Sequence, residues 1–373
     1  MPELSGRERL LLSFQKKPVD RIAFAPLIEG YFTSGLPEPK PDYQVCKECG
    51  CEILARHVPV ISSDIPGLFA WSVIKEANPQ VGFEIKAVDG QIQVDYRLRN
   101  LRLSQRLKFN KESPYIPWVT EFLVKSSEDL KVFAEIYSLA KVLPEPKPFL
   151  DYDALCGEQG IATATVPATP LQALVNIYAG LENSIFLLAD AADDFEEFNQ
   201  IMHEKNMEVC RVIAQSPAKV AISYENTSSS TTGPRYFKKY EAPCLNDYTK
   251  ILKDAQKIHL IHMCGKLKDM PLAILDAEGF VDISPAPTGN ITPGEAKKAW
   301  PDKVLLGGID PISYLKGDEK QLEALVRQIL KDLAGNSLGF ILGSSDATPK
   351  GTTLQTLAMI AGLVRKYGAS NTN

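Results

Sequence analysis

His262-Met263-Cys264-Gly265 closes the apolar run Ile258-His259-Leu260-Ile261. In a strand, residues i and i+2 share a face, so His262 and Cys264 point together from its end. An imidazole and a thiolate aimed at one point are two ligands of a zinc site. The ordinary alternative is a core histidine beside a buried free cysteine. What separates the two is whether other elements bring further ligands to the same point.

The chain has 373 residues, 45% hydrophobic and 23% charged, with a formal net charge of −5. That composition is ordinary for a water-soluble globular protein. No strongly basic run stands out, which argues against a nucleic-acid role. No apolar stretch approaches the roughly 18 residues of a membrane span, and the first residues lack the apolar region of a signal peptide. Seven cysteines, four of them scattered singly, fit a reducing cytoplasm. Cys46, Cys49 and Cys51 form a dense cluster without a second pair nearby and read as partly buried free thiols. Lys297-Lys298 and Lys238-Lys239 read as solvated helix faces.

Residues 5–16 read as a short amphipathic helix, with Ser5 as N-cap and Glu8 three residues on. Residues 21–27 form a first buried strand. A helix over residues 43–57 leads into a second strand, residues 58–64, ending in Asp64. Residues 83–103 alternate apolar and polar residues around Asp89-Gly90, a hairpin signal outside any α/β repeat. From about residue 127 helices alternate with short apolar runs at residues 160–165, 219–224, 258–261, 280–283, 304–308 and 340–343. Intervening helices include residues 193–214 and 319–334. Eight strands alternating with helices predict one (β/α)8 barrel over residues 1–373, with an N-terminal helical extension and a hairpin excursion. A doubly wound open sheet is the structural rival.

In such a barrel the chemistry sits where strands give way to the following loops. Those ends hold Glu29, Asp64, Glu225 with Asn226, His262 with Cys264, Asp310, and Asp346. Carboxylate, imidazole and thiolate together suit Zn²⁺. The expected ligands are His262, Cys264 and Asp346, with Glu225 as a fourth or exchangeable one. For Asp346 the plain reading is a turn residue that caps a helix, and for Glu225 a salt-bridged loop carboxylate. The polar loop Ser228-Ser229-Ser230-Thr231-Thr232-Gly233 reads as a flexible connection.

Several segments resemble the uroporphyrinogen decarboxylase superfamily and, within it, the zinc- and corrinoid-dependent methyltransferases. Glu8-Arg9 and Asp20-Arg21 resemble the opening helix and first strand. Gly180-Leu181-Glu182-Asn183 and His262-Met263-Cys264-Gly265 resemble segments of the methyltransferase branch, the second being its zinc motif. Gly307-Gly308-Ile309-Asp310-Pro311 and the run from Gly343-Ser344-Ser345-Asp346 to Gly351-Thr352 resemble the last two strand ends. The resemblance independently implies a (β/α)8 barrel.

Two departures shape the functional expectation. The decarboxylases carry an arginine-rich loop after the first strand. Here it reads Pro26-Leu27-Ile28-Glu29-Gly30-Tyr31-Phe32, without the cations a multiply anionic substrate needs. Asp64 sits in a segment like the one holding the decarboxylase's catalytic aspartate. Thiol-activating methyltransferases place a cysteine where this chain has Asp346, and a carboxylate ligand leaves zinc more Lewis acidic. The expectation is therefore methyl transfer from a small methoxylated or methylated compound to the cobalt of a corrinoid (cobalamin) carried by a partner protein. Glu29 or Asp64 would be the proton donor, and Glu225 a further catalytic carboxylate. Tyr31, Phe32, Phe69, Trp71 and Tyr178 would wall an apolar pocket. Alternatives are a methylcobalamin-to-thiol methyltransferase of the coenzyme M type, a decarboxylase, and a non-catalytic binding protein.

Overall fold

The computed structural model describes residues 2–56, 73–109 and 117–369. Eight parallel strands form its centre: β1 (Ala23–Phe24), β2 (Ile53–Ala55), β3 (Gly160–Ala162 continuing as Ala164–Val166), β4 (Val220–Tyr224), β5 (Ile258–His262), β6 (Gly279–Ile283), β7 (Val304–Ile309) and β8 (Phe340–Ser344). β1 pairs with β8, and pairing then runs through β7, β6, β5 and β4 to the second half of β3. The first half of β3 pairs with β2. A hydrogen bond from Glu52 N to Phe24 O, 2.9 Å, joins β2 to β1 and closes the ring. The protein is thus a (β/α)8 barrel.

Strand alternation fills the interior with Ala23, Ala25, Leu54, Ile161, Val220, Ile222, Leu260, Val281, Val304, Leu306 and Ile341. Helix α1 (Gly6–Phe14) packs Leu10 and Phe14 onto that cluster. Val220 and Val304 are the first residues of their strands, so α1 plugs the N-terminal end and leaves the loop end for chemistry. α1 starts on the expected capping box between Ser5 and Glu8.

A buried ion network ties this plug down. Arg9 reaches Glu52 at 2.6 Å and Asp20 at 2.7 Å, and Arg21 reaches Glu52 at 2.8 Å. Glu52 Oε2 also accepts from Phe24 N at 2.7 Å. One carboxylate therefore holds both family-like arginines and the start of β1.

Two early expectations are corrected. The helix read over residues 43–57 ends early, as α2 (Asp42–Cys49), because Gly50 takes a left-handed φ of 69°. The next residues pair as β2, and residues 58–64, where a strand was expected, lie outside the described residues. The hairpin at Asp89-Gly90 belongs to a four-stranded antiparallel meander of Gly82–Val88, Gln91–Leu98, Leu101–Lys108 and Trp118–Glu121. Both turn residues have positive φ, as a tight hairpin requires. Lys297 is not a solvated face: it is 2% exposed. Its Nζ donates to Pro301 O and Lys303 O at 3.1 and 3.0 Å, and burial pushes its pKa down to about 8. Among the described residues no helix is long and apolar enough to cross a membrane.

His259, on the outer face of β5, is a satisfied core histidine. Its ring lies 2.8 Å from Ser223 Oγ and 2.7 Å from Thr249 Oγ1 on helix α3 (Ala242–Asp254). Burial pushes its pKa down to about 3 from 6.5. A lowered histidine pKa gives stability that is present above the unfolded value and lost as pH falls toward the folded one. In His259→Gln, the fall in unfolding free energy from about pH 6 to 4 should be shallower, by up to about 1.4 kcal/mol per pH unit. Identical slopes in urea titrations of both proteins would contradict this. Glu52→Gln strips the counter-charge from buried arginines and should cost about 3–5 kcal/mol; a loss within error in the same titrations would mean the network is not needed.

Candidate active site at the loop end of the barrel

The interior face carries the site. Leu54 faces inward, so Arg56 two residues later does too; Leu260 does the same for His262, and Ile222 for Tyr224. Arg56 follows the second strand and Asp282 lies on the sixth, opposite each other in an eight-stranded ring. Their side chains meet: Arg56 Nη1 is 2.6 Å from Asp282 Oδ2, with 1% and 0% side-chain exposure. His262 Nδ1 is 2.5 Å from the same Oδ2. Tyr224 tilts against the His262 ring, centroids 5.5 Å apart, and its hydroxyl donates to Arg56 O at 3.4 Å.

Alternation alone would turn Asp282 outward, since its neighbour Val281 faces in. Two features redirect it. The β6–β7 register shifts between Phe280 and Ile283, and Asp282 takes a φ of +69°. That conformation is uncommon for a side chain and costs on the order of 1–3 kcal/mol unless its surroundings impose it. The surroundings are specific. A Cβ on Gly307 would come within 2.5 Å of Ile283 N, so only glycine admits the bulge. Ser345 Oγ donates to Ile283 O at 2.8 Å, and Ser284 Oγ lies 2.8 Å from Asp282 O.

Burial opposes charge on His262, but the Asp282 hydrogen bond and the polar contact and charge of Cys264 outweigh it and hold its pKa up to about 10. Asp282 is held well below the usual carboxylate range: burial works against this, and the charges of Arg56 and His262 overcome it. Of the seven cysteines, none in a disulfide, six are buried and Cys264 alone is partly exposed. Its Sγ lies 3.7 Å from Asn226 Oδ1. Cys46, Cys49 and Cys51 are buried, with their thiol pKa values raised chiefly by burial. Ser228 Oγ accepts from Lys266 N at 3.1 Å. The polar loop after β4 thus fastens the loop that carries Cys264.

The expected residues distribute unevenly. His262 and Cys264 come together. Asp346 follows β8, accepts from Ala347 N at 2.7 Å, and has its pKa raised by burial, then by the charges of Asp282 and Glu29, with His262 working against them. The charge of Glu29 bears on Arg56, Tyr224 and Asp346. Glu225 does not join them. Next to inward Tyr224, it turns the other way and accepts from Thr169 N and Oγ1 at 2.9 and 2.7 Å. Burial and then Glu241 push its pKa up to about 8. Asp310 caps a helix, accepting from Ile312 N at 2.8 Å. Phe32 is 1% exposed and belongs to the core, and Tyr178 is 5% exposed with its ring 4.4 Å from Phe133. Both were expected in a pocket wall; their apolar faces are spent on packing. Tyr31 is 38% exposed. Asp64, Phe69 and Trp71 lie outside the described residues.

Among the described residues no three His, Cys, Asp or Glu side chains stand close enough together to hold an ion. The pair itself fits zinc in kind. It joins imidazole to thiol, and one ring nitrogen is fixed by a carboxylate, the outer-shell arrangement that metal-bound histidines carry. Arg56, Asp282 and Tyr224 were missed by sequence reasoning. Arg56 was lost in the overlong helix. An acid inside the apolar run Phe280-Val281-Asp282-Ile283 was the available signal for Asp282.

A family model described as uroporphyrinogen decarboxylase (URO-D) matches residues 159–367. No curated protein matches the chain significantly. Among solved structures, a D-psicose 3-epimerase with D-tagatose from Clostridium cellulolyticum H10 is 8% identical, covering 61% of this chain and 85% of its own, at a TM-score of 0.37. A family 5 xyloglucanase from Paenibacillus pabuli is 10% identical, covering 95% and 99%, at 0.36. Those two likenesses are too slight to bear on fold or function. The family match is not: it runs from the third barrel strand to the last helix and takes in β4 to β8, with His262, Asp282 and Asp346. The chain belongs to the uroporphyrinogen decarboxylase (URO-D) family.

Proposed function

We propose that this enzyme is a zinc-dependent methyltransferase that moves a methyl group from a small methoxylated or methylated compound to the cobalt of a corrinoid protein. The observation that carries the reading is the His262 ring, fixed through Nδ1 by Asp282 at 2.5 Å and in polar contact with Cys264. Metal binding would release the second ring proton, and with Nδ1–H kept on Asp282 the other ring nitrogen would be the ligand atom. His262 and Cys264 would supply two ligands of a zinc ion and Asp346 would have to close on them as the third, since among the described residues no three such side chains stand together; the ion would serve as a Lewis acid on the substrate's leaving oxygen. A carboxylate third ligand favours this over activation of a thiol, which a thiolate ligand would serve better. Asp282 orients the ring, and Arg56 holds Asp282. Glu29 would give a proton to the leaving group.

Zinc analysis of the purified protein is expected to find about one ion per chain and little in His262→Ala or Cys264→Ala; full occupancy in both variants sinks the site. Asp282→Asn keeps both ligands but loosens the ring, and zinc affinity should fall about 10- to 100-fold. Stoichiometric demethylation of a panel of methoxylated compounds with cob(I)alamin, followed by its visible spectrum, tests the reaction. No spectral change with any donor, on zinc-loaded protein, rejects methyl transfer.

A further inference from the structure

Arg56 has more hydrogen-bonding capacity than the protein uses. It is 1% exposed, and only Nη1 is engaged by a side chain, on Asp282. Nε and Nη2 are buried with no partner among the described residues. Those two nitrogens form one edge of the guanidinium, with parallel N–H bonds spaced to meet both oxygens of a carboxylate. Arginine does not escape by losing its proton. Buried donors left unpaired are costly, and a native structure that keeps them calls for a missing group.

The place of this edge is defined. Arg56 enters the barrel interior opposite Asp282, and Asp282 Oδ2 also holds the His262 ring. The free edge and the His262–Cys264 pair are therefore linked through a single oxygen atom. An acid seated on the edge is held at a fixed reach from that pair. The charge balance sets a limit as well. Glu29 bears on Arg56, and Asp346 stands in range of Asp282 and His262. One free cationic edge with acidic neighbours suits a single carboxylate and repels a polyanion.

We propose that Arg56 binds the carboxylate of the substrate through Nε and Nη2, so that the enzyme acts on small methylated or methoxylated monocarboxylic acids. The methylated part of this statement rests on the methyl-transfer reading; the carboxylate part does not. The probes are 4-methoxybenzoate and methoxyacetate, each paired with its neutral carboxamide, titrated calorimetrically into the full-length protein. At least one acid should bind about 10- to 100-fold more tightly than its amide. Arg56→Gln should abolish that preference. Arg56→Lys keeps the charge for Asp282 but lacks the parallel edge, and should lose most of it. It serves if the glutamine variant does not fold. Equal binding of acid and amide, no acid binding at all, or an unchanged preference in a folded Arg56 variant overturns the proposal. Cobalamin demethylation, read separately, distinguishes the two ideas. Acid-selective binding without methyl transfer keeps the Arg56 site and removes the methyltransferase reading. Methyl transfer from amides as fast as from acids does the reverse.

Discussion

The loop end of the barrel is organised by one buried carboxylate. Asp282 meets Arg56 from across the ring and His262 from the next strand, at 2.6 and 2.5 Å on the same oxygen. Burying these charges is unfavourable in isolation, and each compensates another. The ion pair fixes the distance between opposite walls of the barrel, and the hydrogen bond fixes the plane of the imidazole. Both set how the His262 ring is presented beside Cys264.

The fold was largely legible because its carriers are local. Six of the eight strands are short apolar runs between amphipathic helices, and the Ser5–Glu8 capping box announces the first helix. What was missed is non-local or conformational. β2 is three residues long and follows directly on a helix that ends only because Gly50 adopts a left-handed conformation. The site was legible to the same extent. His262 and Cys264 follow from strand alternation. Asp282 breaks alternation through its φ and the register shift, which no periodicity reveals. Glu225 obeys alternation, and that is why it faces Thr169 instead of the barrel axis.

The first-strand loop lacks the arginines that serve the family's decarboxylases, yet the barrel interior is not without a cation. Arg56 supplies one from the second strand. A single guanidinium suits an acid whether that acid is demethylated or decarboxylated, so it speaks to substrate charge and not to reaction type. The proposed reaction type rests instead on the His262–Cys264 pair.

Asp282 holds its φ only because Gly307 on β7 makes room and Ser345 after β8 takes the neighbouring carbonyl. These are the last two strands of the barrel. A chain still being made, or one clipped before β8, can present His262 and Cys264 but has nothing to keep Asp282 turned toward them. The aim of the His262 ring is thus set by strands far along the chain from it, and it comes only with the closed barrel.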